Sequence, residues 1–300
     1  MNKKKWIILG IGVVALVGII VAIFFLFFTE KGFRLLKVFE HSGKSSVTRG
    51  TVGEIEPYEN MVLETGDVIQ LDTGILTLKA DDDKYIYLEE HTKLRLEAEG
   101  TSDKSMTKIE LMEGAITNDI QNKLSEGSTY DVNTPNATMS VRGTMFRVEV
   151  YVENGVKYTR VSVFEGTVET RLVYKDGTIA GDPMRIEKGK EVLIYEDEKT
   201  TDYVSDPRDI EYGTLPDKVL NLIKKAIEEG RDVSLTSEEV DAYLKSTVVV
   251  TFTYQGNVFG TQTVKKGGKV SEPELMPAPS GSWNYDFDQP VNEDITIEWK

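Results

Sequence analysis

Few residues in this chain point to chemistry. Asp81-Asp82-Asp83 sets three carboxylates in a row. A calcium ion needs roughly six to eight oxygens converging from spaced positions. Consecutive strand residues point to opposite faces, so the run reads better as a hairpin tip than as a metal site. Asp286 and Asp288 stand near Trp283 and Tyr285, a mixture that fits either a carbohydrate-binding surface or the core and rim of a small β module. The chain has no cysteine, which excludes disulfides, cysteine–zinc sites and thiol nucleophiles. With only His41 and His91, a histidine relay or a histidine-rich metal centre is hard to assemble. No serine or threonine sits in a hydrolase motif, and there is no glycine-rich phosphate loop. The expectation is a non-enzyme with no catalytic residue, no cofactor and no metal.

Charge and hydropathy say where the chain sits. Its formal charge is −15, and residues 1–28 carry Lys3, Lys4 and Lys5 without an acid, leaving −18 on the rest. Nucleic-acid binding needs a basic footprint, so no nucleic-acid partner is expected. Trp6 to Phe28 is a run of 23 uncharged residues. As a helix it covers about 34 Å, enough for a bilayer core of about 30 Å. It ends in Phe24-Phe25-Leu26-Phe27-Phe28 with no small-residue cleavage site, so an uncleaved signal anchor in the membrane is expected. Basic residues flank both ends, and local counting does not settle orientation. A five-residue basic tail followed at once by the apolar run reads as N-terminus inside, with residues 29–300 extracytoplasmic. So short a tail holds no domain, and any inward signal would need a membrane partner. The span itself has small residues but no G-x-x-x-G pair.

From Phe33 to about Tyr195 apolar and polar residues alternate with glycine turns, as in Ile75 to Ala80 and Tyr85 to Leu88. That pattern predicts an all-β barrel, sandwich or solenoid. Ile109 to Ile116 resembles Val161 to Val168 at an offset of 52 residues, with Glu-Gly between two apolar halves in each. Such a glycine fits a tight hairpin or a solenoid corner. From Thr214 the period becomes helical: Thr214 is the expected N-cap of one helix ending at Gly230, and Thr236 with Glu239 forms a capping box for a second. Thr247 to Lys300 returns to β pattern, closing on Ile295 to Trp299.

Asn133-Thr134-Pro135 and Val141-Arg142-Gly143-Thr144-Met145-Phe146-Arg147-Val148 resemble the signature of the FecR domain, as do Val163 to Val168 and Glu64 to Ile69. The likeness extends over roughly residues 33–195. Met139 and Val141 share one parity, Phe146, Val148 and Val150 the other, so a β-bulge near Gly143 is expected. Arg142 is either tied to nearby carboxylates or carbonyls, or is a contact for a partner. Val250-Thr251-Phe252, Thr261 to Val264, Gly267 to Val270, Pro273 and Asp294 to Trp299 resemble a Listeria–Bacteroides repeat of the internalin B-repeat type, which implies a small β-grasp-like fold on a bacterial surface protein.

The architecture expected is mainly β: a cytoplasmic tail (1–5), a transmembrane signal anchor (6–28), a FecR-like β-solenoid or sandwich (29–200), a linker with two short helices (201–246) and a repeat-like module (247–300). The FecR resemblance implies a non-enzymatic binding or scaffold module in envelope signalling, with an unidentified protein or cell-wall partner. In signalling members a cytoplasmic portion regulates a sigma factor. Here that link would pass through a membrane partner, and an adhesin or wall-polysaccharide binder is the other reading. Arg142, Trp283 and Tyr285 are the candidate contacts.

Overall fold

The structure is a computed structural model describing residues 36–101, 104–153, 155–195, 203–273 and 280–300. The expected span at Trp6 to Phe28 lies outside these residues, and among those described no helix is long and apolar enough to cross a membrane.

The alternating sequence builds β1 (Leu36–Arg49), β2 (Gly53–Ile55), β3 (Val68–Ala80), β4 (Lys84–Leu88), β5 (Thr92–Gly100), β6 (Ser105–Ile120), β7 (Thr129–Asn133) and β8 (Ala137–Val141). It continues through β9 (Met145–Glu153), β10 (Val156–Glu165), β11 (Thr167–Leu172), β12 (Met184–Glu187), β13 (Lys190–Tyr195), β14 (Tyr203–Val204) and β15 (Arg208–Asp209). All fifteen join one hydrogen-bonded sheet, and that sheet is folded over on itself. The first half of β6 pairs with β5 and β7, the second half with β4 and β9. β3 divides in the same way between β5 and β4. One layer therefore runs through β5, β7, β8, β11 and β12, the other through β4, β9, β10 and β13. Their inner faces share one core, in which Leu71, Leu78, Ile86, Leu96, Val132, Met139, Phe146 and Val161 are fully buried. The mainly β expectation holds, and the layered form is a sandwich whose two sheets are joined through bent strands.

The sequence repeat is a structural repeat. Leu94 pairs with Leu111 and Leu96 with Ile109, while Phe146 pairs with Val163 and Val148 with Val161. Each partner in the second pairing stands 52 residues after its counterpart in the first. Both ladders slip register at the equivalent point, between Lys93 and Leu94 in one and between Val163 and Glu165 in the other. The Glu-Gly corners carry the chain between layers. Gly114 and Gly166 have φ of +84° and +75°, a region that glycine enters without penalty. Neither is a hairpin.

The bulge expected near Gly143 is not there. Arg142, Gly143 and Thr144 instead connect β8 in one layer to β9 in the other. Met139 and Val141 reach the core from one side, Phe146, Val148 and Val150 from the opposite side. Parity changes because the chain changes layer.

Beyond the sandwich, α1 (Asp217–Glu228) and α2 (Ser237–Lys245) pack as a pair. Thr214 does not cap α1: its hydroxyl donates to the Glu211 carbonyl at 2.8 Å, and Pro216 holds the N-cap position. The Thr236–Glu239 capping box opens α2. Val219, Leu220, Ile223 and Val240 form a second core with Met145 and Phe164 from the sandwich. Arg231, after α1, locks this contact through Glu165 (Nε to Oε2, 2.9 Å) and Asp119 (2.6 Å). A third core lies in a three-stranded sheet of β17 (Asn257–Lys265), β16 (Thr247–Tyr254) and β18 (Ile295–Glu298), with β16 and β18 parallel. Among the described residues no helix accompanies that sheet.

Candidate functional site

The residues that first look functional in the Thr134–Val148 run are mostly structural. Asn136, at the turn between β7 and β8, spans the two layers. Its side-chain oxygen accepts from Thr159 Oγ1 at 2.5 Å, and its amide donates to the Ile194 carbonyl at 3.1 Å. Thr134 Oγ1 accepts from the same Thr159 hydroxyl at 2.9 Å. Burial demands that such groups be satisfied, and here each one ties one sheet to the other. Gly143 lies over Gly166: a β-carbon on Gly166 would meet the Gly143 carbonyl oxygen at 2.9 Å.

Arg147 is a buried structural charge. Its guanidinium grips Glu89 at 2.7 and 2.9 Å and Glu149 at 3.0 and 3.1 Å. Bidentate geometry of this kind offsets the cost of removing the ions from water. Burial pushes the Glu149 carboxyl up, but Arg147, with help from Arg160, outweighs that and holds it below the usual glutamate range.

Arg142 behaves differently. It is exposed at the end of β8 and has no ion pair or hydrogen bond among the described residues. It borders an open groove of about 520 Å³ on the outer face of the first layer, shared with Ser128, Asp131, Ser140, Glu169 and Arg185. The sheet register explains the grouping, because Ser140 lies opposite both Asp131 and Glu169, and Glu169 opposite Arg185. Ser140 donates to Asp131 at 2.5 Å. The groove presents hydroxyls and charges of both signs on the face of a paired sheet.

The aromatic candidates lie apart from it. Trp283 is only 5% exposed and stands edge-on to Phe252 and Trp299, with ring centroids 5.2 and 5.3 Å away. Tyr285 is half-buried against Phe287 and donates its hydroxyl to the Gln289 carbonyl at 3.1 Å. Core and rim packing, not an open aromatic platform, is what these two residues form. Asp81 and Asp83 sit in the turn between β3 and β4 and both pair with Lys84, at 3.2 and 2.7 Å. Among the described residues no cluster of histidines and acids is arranged to hold a metal. Arg171 and Arg185 escaped the sequence reading. Their outward parity in β11 and β12 was legible, but not that those strands flank Arg142.

Residues 63–169 match the family model described as FecR protein. The matched stretch encloses both copies of the 52-residue repeat and the whole Thr134–Val148 run, so the chain contains a FecR domain over these residues. No curated protein matches the chain. Two crystal structures, each of a proposed anti-sigma factor from Parabacteroides distasonis ATCC 8503, show similarity. One, at 2.50 Å resolution, is 22% identical with a TM-score of 0.37, covering 47% of this chain and 59% of that one. The other, at 1.65 Å, is 15% identical with a TM-score of 0.41, covering 78% and 98%. This chain thus spans about three fifths of the first.

Proposed function

We propose that this protein is a membrane-anchored, extracytoplasmic binding module that takes part in envelope signalling and is not an enzyme. The observation that carries the reading is the FecR domain at residues 63–169, whose signature residues Thr134, Met145, Phe146, Arg147 and Val148 are taken up by bonds and packing within the fold while Arg142 is not. What such a sandwich offers is its outer surface. The anchor is Trp6 to Phe28, with the N-terminus inside, and residues 29–300 form the exposed body. In this account Arg142 belongs to the contact surface, α1 and α2 brace the second repeat, and residues 247–300 are a further surface module of the Listeria–Bacteroides repeat type. The anti-sigma description of the two similar structures agrees with a sigma-factor output reached through a membrane partner. Wall-polysaccharide binding at Trp283 and Tyr285 is disfavoured by their packing.

The absence of cysteine gives a clean test. A single Val152→Cys variant, at a position 63% exposed, is treated with a membrane-impermeant maleimide on intact cells and on permeabilised cells. Equal labelling in both is expected. Labelling only after permeabilisation would overturn the topology and the function built on it.

A further inference from the structure

The chain has ten arginines, nine of them described, and they are not treated alike. Arg49, Arg95, Arg147, Arg160, Arg208 and Arg231 each come within 3.5 Å of a carboxylate. Arg142 and Arg171 have no ion pair or hydrogen bond among the described residues. Arg185 has only Glu187, at 3.8 Å, with both side chains well exposed at 66% and 71%. A pair of that kind contributes almost nothing. In a chain with 50 acids and 35 bases, any arginine should find an acid easily. The two that find none and the one that is only weakly paired are neighbours.

Register places them on one face of adjacent strands. Arg185 lies opposite Glu169, and Arg171 opposite Thr138. Val141, the last paired residue of β8, lies opposite Val168, and Arg142, one residue on where the chain leaves the layer, borders the same groove as Thr167. Along β11 the three arginines therefore mark Thr167, Glu169 and Arg171, successive steps of two residues, each about 6.6 Å. Arg142 and Arg185 stand about one strand spacing, roughly 4.8 Å, to either side of β11, a distance that their long side chains can bridge, so a second strand-like segment laid over β11 with an acid at every other residue would meet the three in turn. The outermost strand, β12, pairs with β11 alone.

Resting on the binding-module reading above, we propose that the outer face of β8, β11 and β12 receives an extended acidic segment of a protein partner, whose alternate carboxylates take Arg142, Arg185 and Arg171. The guanidinium fork suits carboxylate and phosphate alike. The face also carries Glu169 and Glu187, which repel a polymer charged at every unit but can be straddled by carboxylates spaced to the arginines. That selects a peptide over a phosphate-rich wall polymer.

The test uses the full chain in detergent micelles at low salt and a fluorescein-labelled ten-residue peptide of alternating glutamate and serine, followed by anisotropy. Saturable binding is expected, weakened several-fold by each of Arg142→Glu, Arg171→Glu and Arg185→Glu, abolished by the three together, and diminished by added salt. Lys157→Glu, an exposed change of the same charge on the other layer, should leave it intact. Thermal melts of Arg142→Glu and Arg171→Glu should match the parent, and Arg185→Glu, which sets a carboxylate opposite Glu169, should melt only slightly lower, so that lost binding is not lost fold. The proposal is overturned if the peptide does not bind, if the triple variant still binds it, or if Lys157→Glu weakens it equally. Inorganic polyphosphate of equal charge binding more tightly through the same arginines would overturn the choice of a peptide. Each of these failures leaves the surface labelling of Val152→Cys untouched, so a wrong ligand is distinguishable from a wrong topology.

Discussion

Thr144 closes over Gly166 so tightly that a β-carbon on the glycine would meet the threonine methyl at 2.6 Å. Fifty-two residues earlier Thr92 does the same to Gly114, where a β-carbon would meet the Thr92 hydroxyl oxygen at 2.5 Å. Each threonine–glycine contact is a place where the chain passes from one layer to the other, and the two contacts define the sandwich.

Gly166→Ala should therefore destabilise more than positive φ alone requires. Strain in the left-handed region costs about 1–2 kcal/mol, and the overlap with Thr144 adds to it. Gly155 has a similar φ of +78° with nothing near a β-carbon, so Gly155→Ala should show the strain cost only. Adding Thr144→Ser to Gly166→Ala removes the clashing methyl and should restore part of the loss in urea unfolding. Equal losses for the two alanine variants would contradict the corner.

Removing Arg231 strands two acids, Asp119 with a side chain 8% exposed and Glu165 at 24%. Arg231→Ala should cost about 1–3 kcal/mol. Hydrogen exchange should quicken across α1 and α2 while β8 and β9 stay protected. Exchange that rises evenly through the sandwich would show that the helix pair is not separately latched.

Asn136, together with Thr134, joins the two layers. Asn136→Ala loses the bonds to Thr159 and Ile194 and leaves buried groups unpaired, a cost of about 1–3 kcal/mol. Asn136→Asp should be worse at neutral pH, because it sets a carboxylate against the Ile194 carbonyl. Melting temperatures of the two variants decide this, and a more stable aspartate variant would refute the assignment.

Glu149 sets a pH dependence of known sign. Its folded pKa lies below its ordinary value of 4.5, so its contribution is complete above that value and is lost as the pH falls through the folded pKa. Native protein should lose more stability than Glu149→Gln when the pH is lowered from neutrality to below 4.5. Parallel losses would mean that Arg147 does not stabilise the charge as described.

Much of this was legible from the residues. Strand periodicity located the β body, and the Ile109 and Val161 segments exposed the repeat. The Thr236–Glu239 box marked the second helix. What escaped is long-range. Nothing local says that residue 142 opens a crossing rather than a bulge, because a change of layer and an inserted residue produce the same shift in parity. Thr214 was a reasonable cap by type, yet Pro216 sets where α1 begins. Trp283 and Tyr285 read from sequence either as a surface or as the core and rim of a small module, and only the packing of Phe252 and Trp299 shows the tryptophan turned inward. That Arg142, Arg171 and the weakly paired Arg185 share one face is visible only once β8, β11 and β12 are known to be neighbours.

The most direct test of the central claim is crosslinking on intact cells with a membrane-impermeant reagent, followed by capture through a C-terminal tag and mass spectrometry. The account predicts a crosslinked membrane protein that carries a cytoplasmic regulatory domain, with its recovery lost in the Arg142→Glu, Arg171→Glu, Arg185→Glu variant. Recovery of wall glycan alone, or a tag that the reagent reaches only after permeabilisation, would contradict it.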